Sequence, residues 1–328
     1  MPKETVRLRR LEVKGYRGID DAEVKFPEGP AGRAGVMVLG GPNGSGKTSL
    51  LEAALLGMNA DSVLPRRTSY GRRAVRKGAR DYRIVAEFDV DGRSFIVERG
   101  AVGSAPKLPR PRVAYFSSWR AQREVGELPV TAGRPGRAPD LKGEWNRLGV
   151  IKQFLVNSKA HDLLRERKNL PPAGNGDRFE EVIGRLNRAW AGFYPAPDVA
   201  FTVDEVSEDP AAGFDVFLQG TDQPPVPLDS LSSGQQELVT LFGWFISQRL
   251  DGALVVIDEP ELHLDHSWHR LLMRSMQEVL PNSQFLVATH SPEVFESAYS
   301  FERLFLTPAA ANPATGEPAA AGVTGSSA

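Results

Sequence analysis

Cysteine is absent from the 328 residues, which excludes disulfides and any zinc or iron–sulfur centre built on thiolates. No apolar run approaches the 18–20 residues needed to span a bilayer, and no basic start followed by an apolar stretch marks a secretory leader. The chain is therefore expected to be cytoplasmic, with no membrane partner. Sustained heptads are also missing, which excludes long coiled-coil arms. An excess of one charge is missing overall, since 40 Lys+Arg face 41 Asp+Glu. With 41% hydrophobic residues, the composition is that of a globular α/β protein with room for an inserted subdomain.

The balanced total hides an asymmetry. Residues 61–150 carry 19 Lys+Arg against 10 Asp+Glu, a net +9, whereas residues 201–300 carry 3 against 16, a net −13. The densest basic run, RRTSYGRRAVRKGAR at 66–80, could meet the phosphates of DNA or RNA through backbone contacts with little sequence choice. Its alternative is a solvated loop docking on acidic surface of this chain or a partner. No base-reading module accompanies it.

The segment GGPNGSGKTSLL carries Gly41, Gly46, Lys47 and Thr48 in the spacing of a phosphate loop. Glycines let the loop turn tightly and bring backbone N–H groups to phosphate oxygens. An apolar strand pattern at 36–39 precedes it, and a helical pattern at 48–56 follows, as the motif requires. Lys47 then neutralises the β- and γ-phosphates, Thr48 holds Mg²⁺, and the helix start adds N–H groups and its dipole. Farther on, the β-branched run LVVI at 254–257 delivers Asp258 and Glu259 to a strand's carboxyl end, where open α/β sheets hold ligands. Asp258 suits Mg²⁺ coordination and Glu259 suits polarising the attacking water. ATP and Mg²⁺ are the expected cofactors.

Together GPNGSGKT, LSSGQ, the strand ending in DEP, and ATH resemble the phosphate loop, signature, Walker B and switch-histidine motifs of ABC-type ATPases. The opening LRRLEVKGYRGIDDAEVKF and the pair DEPELHL and THSP are similar to the RecF, SMC and overcoming-lysogenisation-defect branch. The matched regions are roughly 1–60 and 225–306. This resemblance implies a P-loop NTPase head with a mostly parallel core sheet, a flanking antiparallel β-subdomain and a helical insertion. It gives Asn43, Gly44, Ser45, Gly46, Lys47, Thr48 and Ser49 to the nucleotide. It also gives Ser232, Ser233, Gly234 and Gln235 to a signature that serves the opposite subunit, so a homodimer with composite ATP sites is implied. His290 becomes the switch histidine, residues 261–265 the loop crossing the interface, and Arg17 an additional phosphate or nucleotide contact. Ser233 departs from the usual LSGGQ, as is familiar in this branch. The glutamine loop, whose residue would reach the metal, has Gln122 as first candidate and Gln153 as alternative.

A transport subunit is disfavoured, because QQELVTLFGWF and PELHLD replace the expected continuations of the signature and Walker B. The remaining patterns give strands at 8–14 and 22–26, a hairpin at 82–89 and 93–98 around Asp91-Gly92, and a strand at 113–116. Helices follow at 149–167 and 179–191, then strands at 199–206 and 214–218. Loops rich in Gly, Pro and Arg are read at 100–112 and 126–143. Phe242, Trp244 and Phe245 read as core. The expected division is an N-terminal and phosphate-loop part at 1–60, strands, basic loops and a helical insertion at 61–225, the signature to switch-histidine part at 226–306, and a disordered tail at 307–328. Only residues 291–328 follow the switch histidine, so any nuclease is expected on a separate effector chain. The resemblance points to an ATP-driven switch in antiviral defence, as in Septu-like or retron-associated ATPases. RecF-like DNA repair and a slow-turnover binding scaffold are the alternatives.

Overall fold

A computed structural model of the chain describes residues 5–29, 34–64, 71–101, 111–118, 147–171, 178–196, 198–206, 213–221, 223–307 and 321–322. In chain order the main elements are β1 (Val6–Tyr16), β2 (Ile19–Lys25), β3 (Val36–Gly40), α1 (Lys47–Gly57), β4 (Arg83–Val90), β5 (Arg93–Arg99) and β6 (Val113–Phe116). Then come α2 (Arg147–Arg167), α3 (Phe179–Ala191), β7 (Ala200–Glu205), β8 (Phe214–Gln219), β9 (Val226–Pro227) and α4 (Ser233–Ser247). The last are β10 (Leu254–Asp258), α5 (His269–Val279), β11 (Gln284–Ala288), α6 (Pro292–Glu296) and β12 (Arg303–Phe305). These fall into two compact units that interleave along the chain: Met1–Trp119, Leu250–Leu262 and Leu272–Ala328 form the first, Arg120–Arg249 and His263–Leu271 the second. No described helix is long and apolar enough to cross a membrane.

In the first unit, β12, β3, β11, β10 and β6 lie side by side in that order, every pair parallel. All residues of β3, β10 and β11 are buried, which explains their continuous apolar sequences. An antiparallel sheet of β2, β1, β4 and β5 stands beside it. The β4–β5 turn puts Asp91 at φ 50° and Gly92 at φ 75°, the left-handed pair that a two-residue hairpin needs. Helix α1 packs against strands of both sheets, so Leu50, Leu51, Leu55 and Leu56 are buried in one core with Val13, Ile84, Leu254 and Leu286. A helix covered on several sides is apolar nearly all round. Gly57 is needed there, because a Cβ would stand 2.7 Å from that of Ala86.

One polar clasp ties the two sheets. Strand β1 shifts register between Leu8 and Arg10, and the buried Gln284 at the start of β11 mimics a peptide group beside it. Leu8 N donates to Gln284 Oε1 at 2.6 Å, and Gln284 Nε2 donates to Leu8 O at 2.9 Å. Both backbone groups are thereby satisfied away from water.

The second unit joins α2, α3 and α4 to the antiparallel sheet β7-β8-β9. Helix α3 buries Phe179, Val182, Ile183, Leu186, Ala189 and Trp190, the spacing of one helical face. Phe242 and Phe245 of α4 are core residues, while Trp244 is half-buried beneath the Arg147 guanidinium. Within this unit Lys152 of α2 is fully buried, 2.7 Å from Asp215 of β8 and 2.5 Å from Asp229.

The partition differs from the division at 60, 225 and 306 read from the sequence. β4 and β5 extend the sheet begun by β1, and helix α4, which starts within LSSGQ, packs with α2 and α3 in the second unit, whereas β10 belongs to the first. The loop expected at 126–143 lies outside the described residues, as do most of 100–112 and most of the tail. Within the tail, Ala321–Gly322 pairs with β2.

Breaking the buried ion cluster from its cationic side leaves two carboxylates without it. Lys152→Met is therefore expected to cost about 3–5 kcal/mol, read as a lowered urea midpoint for loss of the second unit's structure. An unchanged midpoint would contradict this account of the cluster.

Candidate active site

Residues 41–46 connect the buried end of β3 to α1 with Gly41 at φ 144°, Gly44 at φ 77° and Gly46 at φ 94°, conformations that suit glycine. Gly41 is further constrained, because a Cβ would stand 2.3 Å from Leu306 O. Asn43 and Gly44 are exposed at the loop's crest, and Ser49 is half-buried in the first turn of α1. Ser45 Oγ is buried with no hydrogen-bond partner.

Lys47 bends back over this loop. Its Nζ donates to Gly41 O at 2.6 Å and Pro42 O at 3.0 Å, and lies 3.4 Å from His290 Nδ1. Burial lowers its pKa, against the opposing pull of Asp258, Glu259 and Glu261. Thr48 Oγ1 donates to Asp258 Oδ2 at 2.9 Å, which joins the start of α1 to the end of β10. Ser118, just past β6, donates to the same oxygen at 3.4 Å.

Glu259 follows at φ 52°, a left-handed backbone that costs a residue with a Cβ about 1 kcal/mol or more. Its N–H donates to Ala288 O at 2.8 Å, and its Oε1 is 3.6 Å from His290 Nε2. The strained backbone is thus pinned to the neighbouring strand, with the carboxylate turned toward the histidine.

The structure therefore brings Lys47, Thr48, Asp258, Glu259 and His290 together. Arg17, also left-handed at φ 50°, has its guanidinium ion-paired with the buried Glu52 of α1 and lies 5.5 Å over the Tyr16 ring. Gln122 lies outside the described residues. Gln153 sits in α2 and donates to Asn157 at 2.9 Å.

Ser232, Ser233, Gly234 and Gln235 belong to the second unit. Ser232 caps α4: Gln235 N donates to its Oγ at 3.4 Å, while Ser232 N donates to Gln235 Oε1 at 2.9 Å. This reciprocal arrangement satisfies two orphan donors of a helix start. Ser232 and Ser233 are exposed. Gly234 is buried where a Cβ would meet His263 O at 2.8 Å.

Two contributors escaped the sequence reading. Ser118 had no signal beyond its place after the 113–116 strand. Glu261 was grouped with the interface loop, yet its carboxylate turns toward residues 289–291. The third acid in DEPE was the available clue.

Residues 151–296 match the family described as "AAA domain, putative AbiEii toxin, Type IV TA system", and residues 10–96 match one described as "AAA domain". "Retron Vc95 probable ATPase" of Vibrio cholerae serotype O1 biovar El Tor is 27% identical over 107 residues, 29% of this chain and 20% of that protein. "Retron Ec83 probable ATPase" of Escherichia coli is 46% identical over 46 residues, 14% of this chain and 8% of that one. The chain thus spans 20% or less of the length of these curated relatives. The SMC head domain from Thermotoga maritima superposes with TM-score 0.51 at 18% identity, covering 97% of this chain and 99% of the other. The Smc head bound to the C-terminal domain of ScpA, derived from Pyrococcus furiosus, gives 0.56 at 14%, covering 97% and 96%.

Two AAA-domain family models thus match this chain, and its fold is that of an SMC head. The head's residues fit a nucleotide with its metal. The glycine loop at positive φ and the orphaned Ser45 hydroxyl form an anion cradle, and the Thr48 hydroxyl beside the Asp258 carboxylate offers the hard oxygen donors that Mg²⁺ takes.

Because burial depresses the Lys47 pKa, the unfolded chain holds this proton to higher pH than the folded one. Stability is thus expected to rise with pH between the folded and unfolded values of this group. Lys47→Met should flatten that rise and abolish nucleotide binding without lowering the melting temperature at pH 7. Melting curves against pH and fluorescent-nucleotide titration check both. A steep loss of stability on substitution would contradict the burial argument.

Proposed function

We propose that the chain binds ATP with Mg²⁺, hydrolyses it, and uses the cycle as a dimerising switch. The observation that carries this reading is the convergence of Lys47, Thr48, Asp258, Glu259 and His290 through contacts of 2.9 to 3.6 Å. Lys47 faces the β- and γ-phosphates, and Thr48 with Asp258 holds the ion. Mg²⁺, when bound, offsets the charge that gathers on the transferring phosphoryl group. Glu259 orients the attacking water and accepts its proton. His290, between Lys47 and Glu259, joins the Lys47 ammonium to the base and contacts the γ-phosphate.

Each site is completed by Ser232, Ser233 and the start of α4 from a second copy. Exposure of both serines at a capped helix start favours this, since such a start offers N–H groups and a favourable dipole to an anion. The setting we favour is cytoplasmic antiviral defence with a separate effector such as a nuclease; the retron names of the matched relatives support it. RecF-like repair and a slow-turnover scaffold are the rivals. An intact set of Lys47, Thr48, Asp258, Glu259 and His290 argues against an inert scaffold.

The basic run at 66–80 includes both docked and exposed cations. Arg76 donates to Gly18 O at 3.1 Å and its backbone joins Gly15 O, so part of the run docks on this chain's own β1–β2 turn. Arg72, Arg73 and Lys77 are exposed and are the groups offered to nucleic acid.

Glu259→Gln should retain ATP binding, lower kcat by about 10²-fold or more, and accumulate a nucleotide-bound dimer on size-exclusion chromatography. Unchanged hydrolysis would remove Glu259 from its role. Mixing Lys47→Ala with Ser233→Arg, each inactive alone, should restore part of the activity through mixed dimers holding one intact composite site; no recovery would argue for a site completed within one chain. Replacing Arg72, Arg73 and Lys77 with Gln should weaken DNA binding and reduce its salt dependence, while equal affinity would leave the run as a docking loop.

A further inference from the structure

Beyond the two acids of the hydrolytic site stands a third, Glu261, separated from Glu259 only by Pro260. Its Oε1 accepts from Thr289 Oγ1 at 2.7 Å, His290 N at 2.8 Å and Ser291 N at 3.2 Å. Its Oε2 is buried without a hydrogen-bond partner. Among the described residues, every hydrogen bond of this carboxylate is therefore spent on the three-residue segment bearing His290.

Besides the His290 ring contacts, this segment is anchored at both of its ends. Thr289 N donates to Leu39 O at 2.9 Å, continuing the β3–β11 pairing. Ser291 caps α6, its Oγ accepting from Val294 N at 3.2 Å and donating to Glu293 at 2.8 Å. Between those anchors the backbone turns, and Ser291 N also donates to Thr289 Oγ1 at 2.9 Å. The turn gathers two N–H groups and a hydroxyl on one point. A full negative charge suits three donors on one oxygen better than a neutral acceptor, because charge-assisted hydrogen bonds are shorter and stronger.

We propose that Glu261 is the positioning residue for His290, an assignment resting on the hydrolytic reading above. It does not touch the reacting atoms. By fixing the His290 backbone it holds the ring where Nδ1 is 3.4 Å from Lys47 Nζ and Nε2 is 3.6 Å from Glu259 Oε1. Small displacements of a catalytic group are costly in rate, so the carboxylate's effect is expected in kcat rather than in nucleotide affinity. Aspartate, one methylene shorter, would not span the same distance, whereas glutamine keeps the shape and one oxygen acceptor without the charge.

The test combines amide exchange with kinetics on the full chain. In Glu261→Ala, hydrogen exchange at His290 and Ser291 N–H should accelerate by tenfold or more, about what loss of one charge-assisted bond is worth, with β10 and β11 amides unchanged. Glu261→Gln should fall between Ala and wild type. With Mg²⁺ and ATP, Glu261→Ala should lower kcat by about tenfold while KM stays within about twofold. In a His290→Ala background it should cause no further loss, because a group acting through His290 has nothing left to position. Exchange at 289–291 equal to wild type would overturn the assignment, as would a kcat loss that multiplies with His290→Ala. If Glu261→Ala unfolds, Glu261→Gln carries the same comparisons. A wild-type chain that does not hydrolyse ATP overturns the hydrolytic reading, and the exchange measurement still tests the clamp.

Discussion

The parallel register of β3, β11 and β10 is the constraint on which the site depends. Val38 pairs with Val287 and Ile257 with Val287 across adjacent strands, so the three strands end at the same level and point the same way. Whatever follows each strand must emerge on one edge of the sheet. The glycine loop, the two acids and the histidine segment follow in turn, which is how residues separated by more than two hundred positions meet. Burial of all three strands keeps the edge in place, since a one-residue slip would shift every functional group by a strand step of about 3.3 Å.

Charge and strain are concentrated at that edge. Lys47 is lowered in pKa by burial although three carboxylates oppose the effect, so the loop holds a cation that gains from any anion brought beside it. Glu259 keeps a left-handed backbone that glycine would adopt more cheaply. Glycine would have no carboxylate, and the hydrogen bond to Ala288 O helps to hold the costlier residue. Strained positions of this kind persist where surrounding structure over-determines them.

Much of this was legible in the chain. The strand before Gly41, the helix after it, the 254–258 strand and the hairpin around Asp91-Gly92 all follow from local spacing and turn chemistry. Helix α3 follows from the period of its apolar residues. What stayed hidden depends on long-range partners. Nothing near Lys152 announces two aspartates more than sixty positions away, and Gln284 resembles any polar residue at a strand start. Arg17 is a nucleotide contact by resemblance, and nothing near it announces the ion pair with Glu52 of α1. Glu261 is one acid among several in DEPELHLD, and only the approach of residues 289–291 distinguishes it. The LSSGQ segment belongs with DEP by motif resemblance, whereas helix packing assigns it to the unit of α2 and α3.

The capping box at Ser232 and Gln235 bears on how this surface would meet the second copy proposed above. Its serine and glutamine hydrogen bonds already fix the first turn of α4, so little backbone freedom remains to be lost when another surface arrives. A helix start organised in advance acts as a template rather than a segment that folds on contact. Its association free energy can then depend closely on whether the incoming group is an anion of the right shape, which makes the encounter selective before it becomes strong.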